Sequence, residues 1–253
     1  MSVSKNDIKF VQSLRLKKFR QKYNNFIAEG EKIAGEALLS SSYKIIRIFA
    51  LPEWLHDHAT QLTRIPPAAI SEASENELAK ISGLSTPNKV LMVLEWPQPG
   101  ELPPIQTALY LDDVQDPGNL GAILRIADWF AIPQVFCSPG SVDVYNPKVV
   151  QASMGAFLRV DSQEIELETL LHRQPELPVL GAVLDGDDLF AAPLPSSGIL
   201  VVGNESKGIR PDTQRQLSHR IAIPRAPGGG AESLNAAVAT GIITAFWVNR
   251  TSS

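Results

Sequence analysis

The chain has 253 residues, of which 44% are hydrophobic and 20% charged, and its formal net charge is −4 at pH 7. This composition is typical of soluble globular proteins and excludes a disordered or fibrous chain. No apolar run approaches the roughly 20 residues needed to cross a bilayer, and the N-terminus lacks the apolar core of a secretory signal. The single cysteine, Cys137, stands among apolar neighbours and is predicted to be a buried strand thiol. We therefore expect a cytoplasmic protein with no membrane contact.

The charge is unevenly distributed along the chain. Residues 1–47 hold ten Lys/Arg against four Asp/Glu, whereas the remainder holds thirteen against twenty-three. A basic arm on an acidic body can still bind phosphates, because screening confines the acidic repulsion to about 8–10 Å. The basic cluster, as we call its densest part, consists of Arg15, Lys17, Lys18, Arg20 and Lys22. Charge alone leaves two interpretations open for it, a phosphate-binding surface or a solvated helix face.

The first part of the chain alternates helical and extended patterns. The predicted elements are helices at residues 30–40 and 74–81 and strands at residues 43–51 and 89–95. The sequence WPQPGELPPI then places four prolines and a glycine in ten residues, which neither a helix nor a central strand tolerates. We predict two domains, 1–95 and 107–253, joined by a linker at 96–106.

From residue 107 onward, strands and helices alternate regularly. The predicted strands lie at 107–111, 134–137, within 177–184, at 198–202 and at 220–223, and the predicted helices at 119–130, 147–156 and 232–249. This alternation indicates an α/β domain with a mostly parallel sheet. Ligands bind at the carboxyl ends of the strands in such sheets. We therefore expect the site in the loops after the strands at 107–111, 198–202 and 220–223.

The predicted last helix is apolar on more than one side. One stripe consists of Leu234, Ala237, Val238, Gly241, Ile242 and Ala245, and a second of Ile243, Phe246 and Trp247. A helix that is apolar over so much of its girth is buried on more than one side. If one stripe packs on the sheet and the other on a second subunit, the protein is a homodimer. The alternative is a larger monomeric core.

Each of the three loops carries polar residues that local structure could also explain. After the first strand, Asn119 is suited to cap a helix, and Arg125 lies among apolar neighbours that predict a partly buried guanidinium. After the second strand, Glu205 follows at once. Before the last helix, Ser233 and Asn235 stand at helix-start positions. Taken singly, none of these residues indicates a site.

Taken together, these segments resemble a known family. The combination of N-x5-R, G-N-E and I-P…E-S-L-N is similar to the three motifs of the TrmH/SpoU family, RNA 2'-O-methyltransferases of the knotted SPOUT class. Residues 145–160 resemble the family's segment between its first two motifs, and residues 24–40 the start of its substrate-binding domain. The resemblance implies a parallel-sheet SPOUT domain with a trefoil knot and a smaller α/β N-terminal domain similar to L30e RNA-binding folds. It also implies a homodimer with the active site at the subunit interface, and it favours RNA contact for the basic cluster.

The family likeness implies S-adenosylmethionine as methyl donor and no metal, and His56 and His58 lack a supporting ligand cluster. The implied donor-binding residues are Leu184, Gly203, Ile223 and Leu234, with a side chain at Gly203 expected to block the adenosine. The implied catalytic residues are Asn119, Arg125, Glu205, Ser233 and Asn235. Because arginine stays protonated in proteins, we interpret Arg125 as a group that holds RNA phosphate and stabilises the developing oxyanion.

One segment departs from the family pattern, and several substrates stay open. The stretch between Pro224 and Ser233 is longer than the pattern, which leaves the donor contacts of residues 225–231 open. The separate N-terminal domain favours ribosomal RNA as the substrate. The alternatives are transfer RNA, a non-catalytic RNA-binding member of the fold, and a base methylase of the wider knotted class.

Overall fold

The structure, a computed structural model, describes residues 3–97, Gly100 and residues 103–251. The predicted linker at 96–106 contains the gaps between these ranges, so it lies partly outside the described residues. No helix in the described ranges is both long enough and apolar enough to cross a membrane.

The chain forms two compact units that interleave in sequence. Unit 1 comprises Met1–Pro99 and Tyr145–Leu158, and unit 2 comprises Gly100–Val144 and Arg159–Ser253. The domain bounds inferred from the sequence stay predictions, as do the trefoil knot and the L30e-like character of the N-terminal domain.

The second segment of unit 1 is held there by aromatic packing. Tyr145 and Phe157 lie against Phe26, with ring centroids 4.5 Å and 5.7 Å from its own. The hydroxyl of Tyr43 donates to the carbonyl of Phe157 at 2.9 Å. Phe26, Tyr145 and Phe157 are buried together, and aromatic pairs add to the free energy gained from burial alone.

The helices and strands alternate over much of the chain. In chain order they are α1 (Lys5–Ser13), α2 (Lys17–Tyr23), β1 (Asn25–Glu29), α3 (Glu31–Leu39), β2 (Ile45–Ala50), α4 (Pro52–Asp57), α5 (Ala59–Leu62), β3 (Ile70–Glu72), α6 (Glu75–Ile81), β4 (Val90–Glu95), β5 (Thr107–Asp112), α7 (Pro117–Trp129), β6 (Gln134–Cys137), α8 (Pro147–Ser153), β7 (Asp161–Glu164), α9 (Leu167–Arg173), β8 (Val179–Asp188), β9 (Gly198–Gly203), α10 (Pro211–Gln214), β10 (His219–Ala222) and α11 (Ala236–Thr251).

Unit 1 contains a four-stranded mixed sheet in the order β1-β4-β2-β3. The strand β4 pairs antiparallel with β1 and β2, and β3 pairs parallel with β2. Its core includes Val11, Ile27, Phe49 and Leu91. The elements predicted at 30–40, 43–51, 74–81 and 89–95 are confirmed as α3, β2, α6 and β4. The strand β1 and the helices α1 and α2 were not predicted.

Unit 2 contains a six-stranded sheet in the order β10-β8-β9-β5-β6-β7, and every pairing in it is parallel. This confirms the predicted α/β class with a parallel sheet. On one face, Tyr110 and Val201 pack with Leu167 and Leu170 of α9. The helices α7 and α11 contact each other, and α11 also contacts β8 and β9. The edge strand β7 escaped prediction because its sequence, DSQE, is polar throughout.

The last helix is buried along one side and exposed along another. It begins at Ala236, four residues after the predicted start. Thr240, Ile243, Thr244 and Trp247 form the buried side. The predicted stripe that starts at Leu234 is partly open to solvent, since Leu234 is 47% and Val238 51% exposed.

Candidate active site

The three predicted loops meet at one edge of the unit 2 sheet. The strands β5 and β9 are neighbours, and Asp112 at the end of β5 is paired with Gly203 at the end of β9. The strand β8 lies between β9 and β10. Because the strands are parallel, the loops that follow β5, β9 and β10 leave from the same edge. Segments far apart in sequence therefore become neighbours there.

One hydrogen-bonded chain joins a residue from each motif. The Nδ2 of Asn235 donates to Oδ1 of Asn119 at 2.8 Å, and the Nδ2 of Asn119 donates to Oε1 of Glu205 at 2.9 Å. The same Oε1 accepts from the backbone N–H of Asp116 at 3.3 Å. Asn119 is 9% exposed, so its amide depends on these partners rather than on water. We call these three residues, Asn119, Glu205 and Asn235, the motif network.

The helix α7 begins earlier than predicted, and its cap is a different residue. Asp116 is the N-cap, and its carboxylate accepts from the backbone N–H of Asn119 at 2.8 Å. Pro117 follows at the first helical position, where its missing N–H costs nothing. The prediction of Asn119 as the cap is therefore wrong. Its side chain is instead free to bridge two other loops.

Asn235 orients the whole motif network. Its Oδ1 accepts from the backbone N–H groups of Ala237 and Val238, at 3.0 Å and 3.2 Å, which is how an N-cap residue bonds the first turn of its helix. Because the oxygen faces those donors, the amide nitrogen must face Asn119. The oxygen of Asn119 is then the acceptor, and its nitrogen faces the Glu205 carboxylate. The α11 backbone thus sets the donor and acceptor roles in both side-chain hydrogen bonds of the motif network.

Arg125 and Ser233 lie outside the motif network. Arg125 is exposed, and the prediction of a partly buried guanidinium is wrong, because Leu124 and Ala127 occupy the buried face of α7. Ser233 is also exposed. Within the described part of the chain, neither side chain has a hydrogen bond or an ion pair. Both are free to contact a ligand.

Two of the implied donor-binding residues lie on or next to strands that part from each other, Leu184 on β8 and Ile223 directly after β10. The strand β8 pairs with β9 only over Val179–Gly181, and its pairing with β10 resumes at Asp187. Leu184 lies in the unpaired stretch and is 79% exposed. It was expected near the end of its strand, but β8 continues to Asp188. Ile223 directly follows β10 and is half-buried.

The backbone of the following turn leaves no room for a side chain at Gly203. A Cβ at this position would lie 2.3 Å from the carbonyl carbon of Gly208 and 2.3 Å from the nitrogen of Ile209. The turn that carries Glu205 folds back so closely that only glycine fits. The expected reason, space for an adenosine, is therefore not needed to explain the glycine.

The basic cluster in unit 1 divides into two kinds of residue. Arg20 is 1% exposed, and its Nη1 donates to the carbonyls of Leu14 and Arg15, at 2.9 Å each. Arg15 donates to the carbonyls of Ile81, at 3.2 Å, and Ser82 at the end of α6. Arg20 is therefore a structural residue, and its prediction as an RNA contact is wrong. The cluster members that remain exposed on α2 are Lys17, Lys18 and Lys22.

Sequence reasoning missed Asp112 and Arg210. Asp112 is fully buried, and its Oδ1 accepts from Nε of Arg210 at 2.6 Å. Although burial opposes the charge of Arg210, its hydrogen bonds to Glu166 and Asp112 raise its pKa above the usual range. An acidic residue at the end of a buried strand was the available signal. Among the described residues, no group of His, Cys, Asp or Glu side chains could hold a metal ion.

Family models match both halves of the chain. The model described as the SpoU rRNA Methylase family matches residues 106–245, and the model described as the MRM3-like substrate binding domain matches residues 5–92. The chain is 29% identical over 250 residues to a 23S rRNA (guanosine(2553)-2'-O)-methyltransferase of Bacillus subtilis, with 96% of each chain covered.

Solved structures of RNA methyltransferases superpose on nearly the whole chain. A chain described as a TrmH-family RNA methyltransferase from Porphyromonas gingivalis superposes with a TM-score of 0.86 at 39% identity, over 99% of this chain and 100% of that one. An AdoMet-bound rRNA methyltransferase from Sinorhizobium meliloti gives 0.87 at 27% identity, over 99% of this chain and 96% of that one. The family expected from the three motifs is confirmed, and this chain belongs to the SpoU rRNA methylase family.

Proposed function

We propose that this chain is a methyltransferase that transfers a methyl group from S-adenosylmethionine to a ribose 2'-hydroxyl of ribosomal RNA. The observation that carries the proposal is the motif network, which joins the three family motifs through Glu205, Asn119 and Asn235. The Bacillus subtilis relative is named for 2'-O-methylation of a guanosine in 23S rRNA, which supports both the ribose chemistry and the ribosomal substrate.

The edge where β8 leaves the sheet fits an adenosyl donor. Residues 182–185 have no partner in the register of β8 with β9 or β10, and we assign the edge of the adenine to their backbone groups. Leu184 and Leu234 are exposed apolar side chains, and covering them with a flat base is favourable. We assign the donor contacts to these two residues together with Gly203 and Ile223. The bound donor supplies an activated methyl group on a sulfonium.

The residues of the chain then have two kinds of task. Attack by the 2'-oxygen must be in line with the methyl group, so positioning dominates the rate. Arg125 is exposed and holds an RNA phosphate, and its guanidinium also stabilises the negative charge that develops on the attacking oxygen. Because arginine remains protonated, the hydroxyl proton passes to a phosphate oxygen or to water. Ser233 orients the ribose, while the motif network holds the loops in place.

The exposed lysines of α2 contact the RNA. The ammonium of Lys18 lies 5.0 Å from the ring of Phe19, and that of Lys22 lies 5.4 Å from the ring of Tyr23. Lysines beside aromatic rings can bind phosphates and stack bases on one surface. The match of residues 5–92 to a substrate binding domain supports this assignment.

The exposed side of α11 is the contact between two copies of the chain. Val238 is a large apolar side chain that is about half exposed, and it belongs to a stripe that continues along the helix through the half-buried Gly241, Ile242 and Ala245. A second copy would remove this apolar stripe from water. Because the backbone N–H of Val238 bonds Asn235, a homodimer formed here brings the partner to the site.

A methylation assay with mapped products tests the proposed function. Purified protein is incubated with labelled S-adenosylmethionine and with ribosomal and transfer RNA from cells that lack the gene. We expect label in ribosomal RNA at a linkage that resists alkaline hydrolysis, as 2'-O-methylation requires. Label on a base, label in transfer RNA alone, or RNA binding without transfer would each overturn the proposal. The matched control is Arg125→Ala protein.

A further inference from the structure

Asp112 is a buried carboxylate that the proposed mechanism leaves without a task. It ends β5 and has no exposed surface. Its Oδ2 accepts from the backbone N–H of Arg210 at 2.7 Å, and its Oδ1 accepts from Nε of Arg210 at 2.6 Å and from Oγ1 of Thr213 at 3.2 Å. A buried charge of this kind is costly unless several donors compensate it. All its donors come from the segment that follows Glu205.

The segment that carries Glu205 begins and ends at Asp112. The strand β9 ends at Gly203, which is the residue paired with Asp112 in the parallel ladder. The chain then turns through Glu205 and returns at Arg210, which bonds the Asp112 carboxylate through its backbone and its side chain. We call residues 204–210 the Glu205 loop. The two ends of the loop are therefore attached to the same residue.

Further contacts make the Glu205 loop stiff. The Nδ2 of Asn204 donates to the carbonyl of Asp113, the residue after Asp112, at 2.8 Å. The Oδ1 of Asn204 accepts from the backbone N–H groups of Ser206 and Lys207, at 3.0 Å each. Asn204 and Gly208 exchange backbone hydrogen bonds at 3.0 Å and 2.9 Å. These bonds leave Glu205 on a short, closed turn with little freedom to move.

Arg210 is also bonded to the residue that precedes helix α9. Nη2 of Arg210 donates to Oε2 of Glu166, just before α9, at 2.9 Å. Arg210 thereby hydrogen-bonds two carboxylates, one buried and one exposed, and its Nε also lies 3.8 Å from Oδ1 of Asp113. A planar guanidinium suits such a bridge better than a single ammonium group would. The Asp112–Arg210 pair is therefore held by β5, which Asp112 ends, and by Glu166 at the start of α9.

We infer that Asp112 is a positioning residue for methyl transfer: with Arg210 it anchors the Glu205 loop so that Glu205 reaches Asn119 and the motif network forms. This inference rests on the proposed function. Asp112 touches neither RNA nor donor in this role. Its effect on the rate passes through Glu205, and removing its charge frees the loop without removing any group of the motif network.

Two substitutions and their combination test the route of this effect. Asp112→Asn keeps the size of the side chain but presents an amide nitrogen to the donors of Arg210. We expect kcat to fall about 10–100-fold, because a charge-assisted hydrogen bond is worth that much. In a protein that already carries Glu205→Ala, the same change should lower kcat less than 3-fold, since residues that act through one another are not additive. If the kcat loss of the double variant equals the product of the losses of the two single variants, the inference is overturned.

A measurement without substrate tests the loop directly. Hydrogen exchange of the peptide that covers residues 204–210 reports on the N–H groups of Ser206, Lys207 and Gly208. We expect Asp112→Asn to speed this exchange at least about 10-fold. Unchanged exchange would overturn the inference. The exchange measurement remains informative even if the wild-type protein methylates no RNA. Such a failure of methylation would refute the proposed function and not the role of Asp112 in holding the loop.

A control and a milder variant complete the test. Asp128 of α7 forms a bidentate pair with Arg159 of the same unit, so Asp128→Asn breaks an Asp–Arg pair, more exposed than that of Asp112, away from the Glu205 loop. We expect it to leave kcat and the exchange of residues 204–210 within about 2-fold of wild type. Arg210→Lys keeps the charge but cannot bond Asp112 and Glu166 together, and it should show the Asp112→Asn effects in weaker form. Wild-type exchange in Arg210→Lys would contradict the anchor if Asp112→Asn fails to fold.

Discussion

The Nδ2 of Asn119 donates to Oε1 of Glu205 at 2.9 Å, across 86 residues of sequence. The other end of the Asn119 amide is taken by Asn235. Both polar atoms of the Asn119 side chain therefore hold other motif residues. The motif residues divide into those that hold one another and those, Arg125 and Ser233, that remain free for ligand.

The first prediction concerns Glu205. Glu205→Ala removes the acceptor of the Asn119 amide, a hydrogen bond to a charged group that contributes about 1.5–3 kcal/mol, and that of the exposed Asp116 N–H, which contributes less. We expect kcat to fall about 10–100-fold, and Glu205→Gln, which keeps one acceptor oxygen, to fall less. Initial rates at saturating donor and RNA measure both. Equal losses in the two variants would show that the acceptor oxygen is not what matters.

The second prediction separates catalysis from donor binding. Arg125→Ala should abolish measurable turnover, because no other described motif residue offers a free guanidinium to the RNA phosphate and the oxyanion. The affinity for S-adenosylmethionine, measured by calorimetry, should stay within about 3-fold of wild type, since Arg125 is exposed and lies outside the donor-binding residues. A large loss of donor affinity would show that its role is misassigned.

The third prediction concerns the basic cluster. Arg20→Met leaves the carbonyls of Leu14 and Arg15 without their buried donor, so the free energy of unfolding should fall by about 2–4 kcal/mol in denaturant titrations. Lys18→Ala should change stability by less than about 0.5 kcal/mol. It should instead weaken RNA binding and reduce the dependence of affinity on salt. A stability loss in Lys18→Ala equal to that in Arg20→Met would contradict this division.

The fourth prediction concerns the assembly. Val238→Asp puts a charge on the exposed stripe of α11, where a partner would bury it, and Asn249→Asp puts one on an exposed position of the same helix. We expect light scattering after size exclusion to show dimers for wild type and Asn249→Asp, and at least about 10-fold weaker association for Val238→Asp. Activity should fall in parallel. Unaltered association of Val238→Asp would place the dimer contact elsewhere.

The fifth prediction concerns Cys137. Burial, together with the nearby carboxylates of Glu164 and Asp143, raises the pKa of this thiol to about 12. Because the thiolate is the reactive form, the folded protein should not react with a disulfide reagent at pH 8. In guanidinium, one thiol per chain should react within minutes, as the sequence contains a single cysteine. Rapid labelling of the folded protein would show that β6 opens.

Much of the secondary structure of unit 2 was predictable because its strands are strongly apolar. The strand β9 reads GILVVG and β6 reads QVFC, and both lie where they were predicted. Polar or short elements were missed, since β7 lies at an edge and has no apolar pattern. The start of α7 was misplaced because Asp116 and Asn119 are both suitable caps, and only the fold decides which side chain faces the helix.

The sequence by itself determined the order of the three motifs and the parallel α/β pattern around them, because these follow from local spacing and apolar periodicity. The family came from the resemblance of the three motifs to those of a known family. Only the tertiary structure decided which polar groups bond one another. It showed that Asn119 bridges Glu205 and Asn235, that Asp112 closes the Glu205 loop, and that Arg20 is buried. These outcomes depend on partners that sheet pairing and helix packing bring close, and no local pattern records such distances.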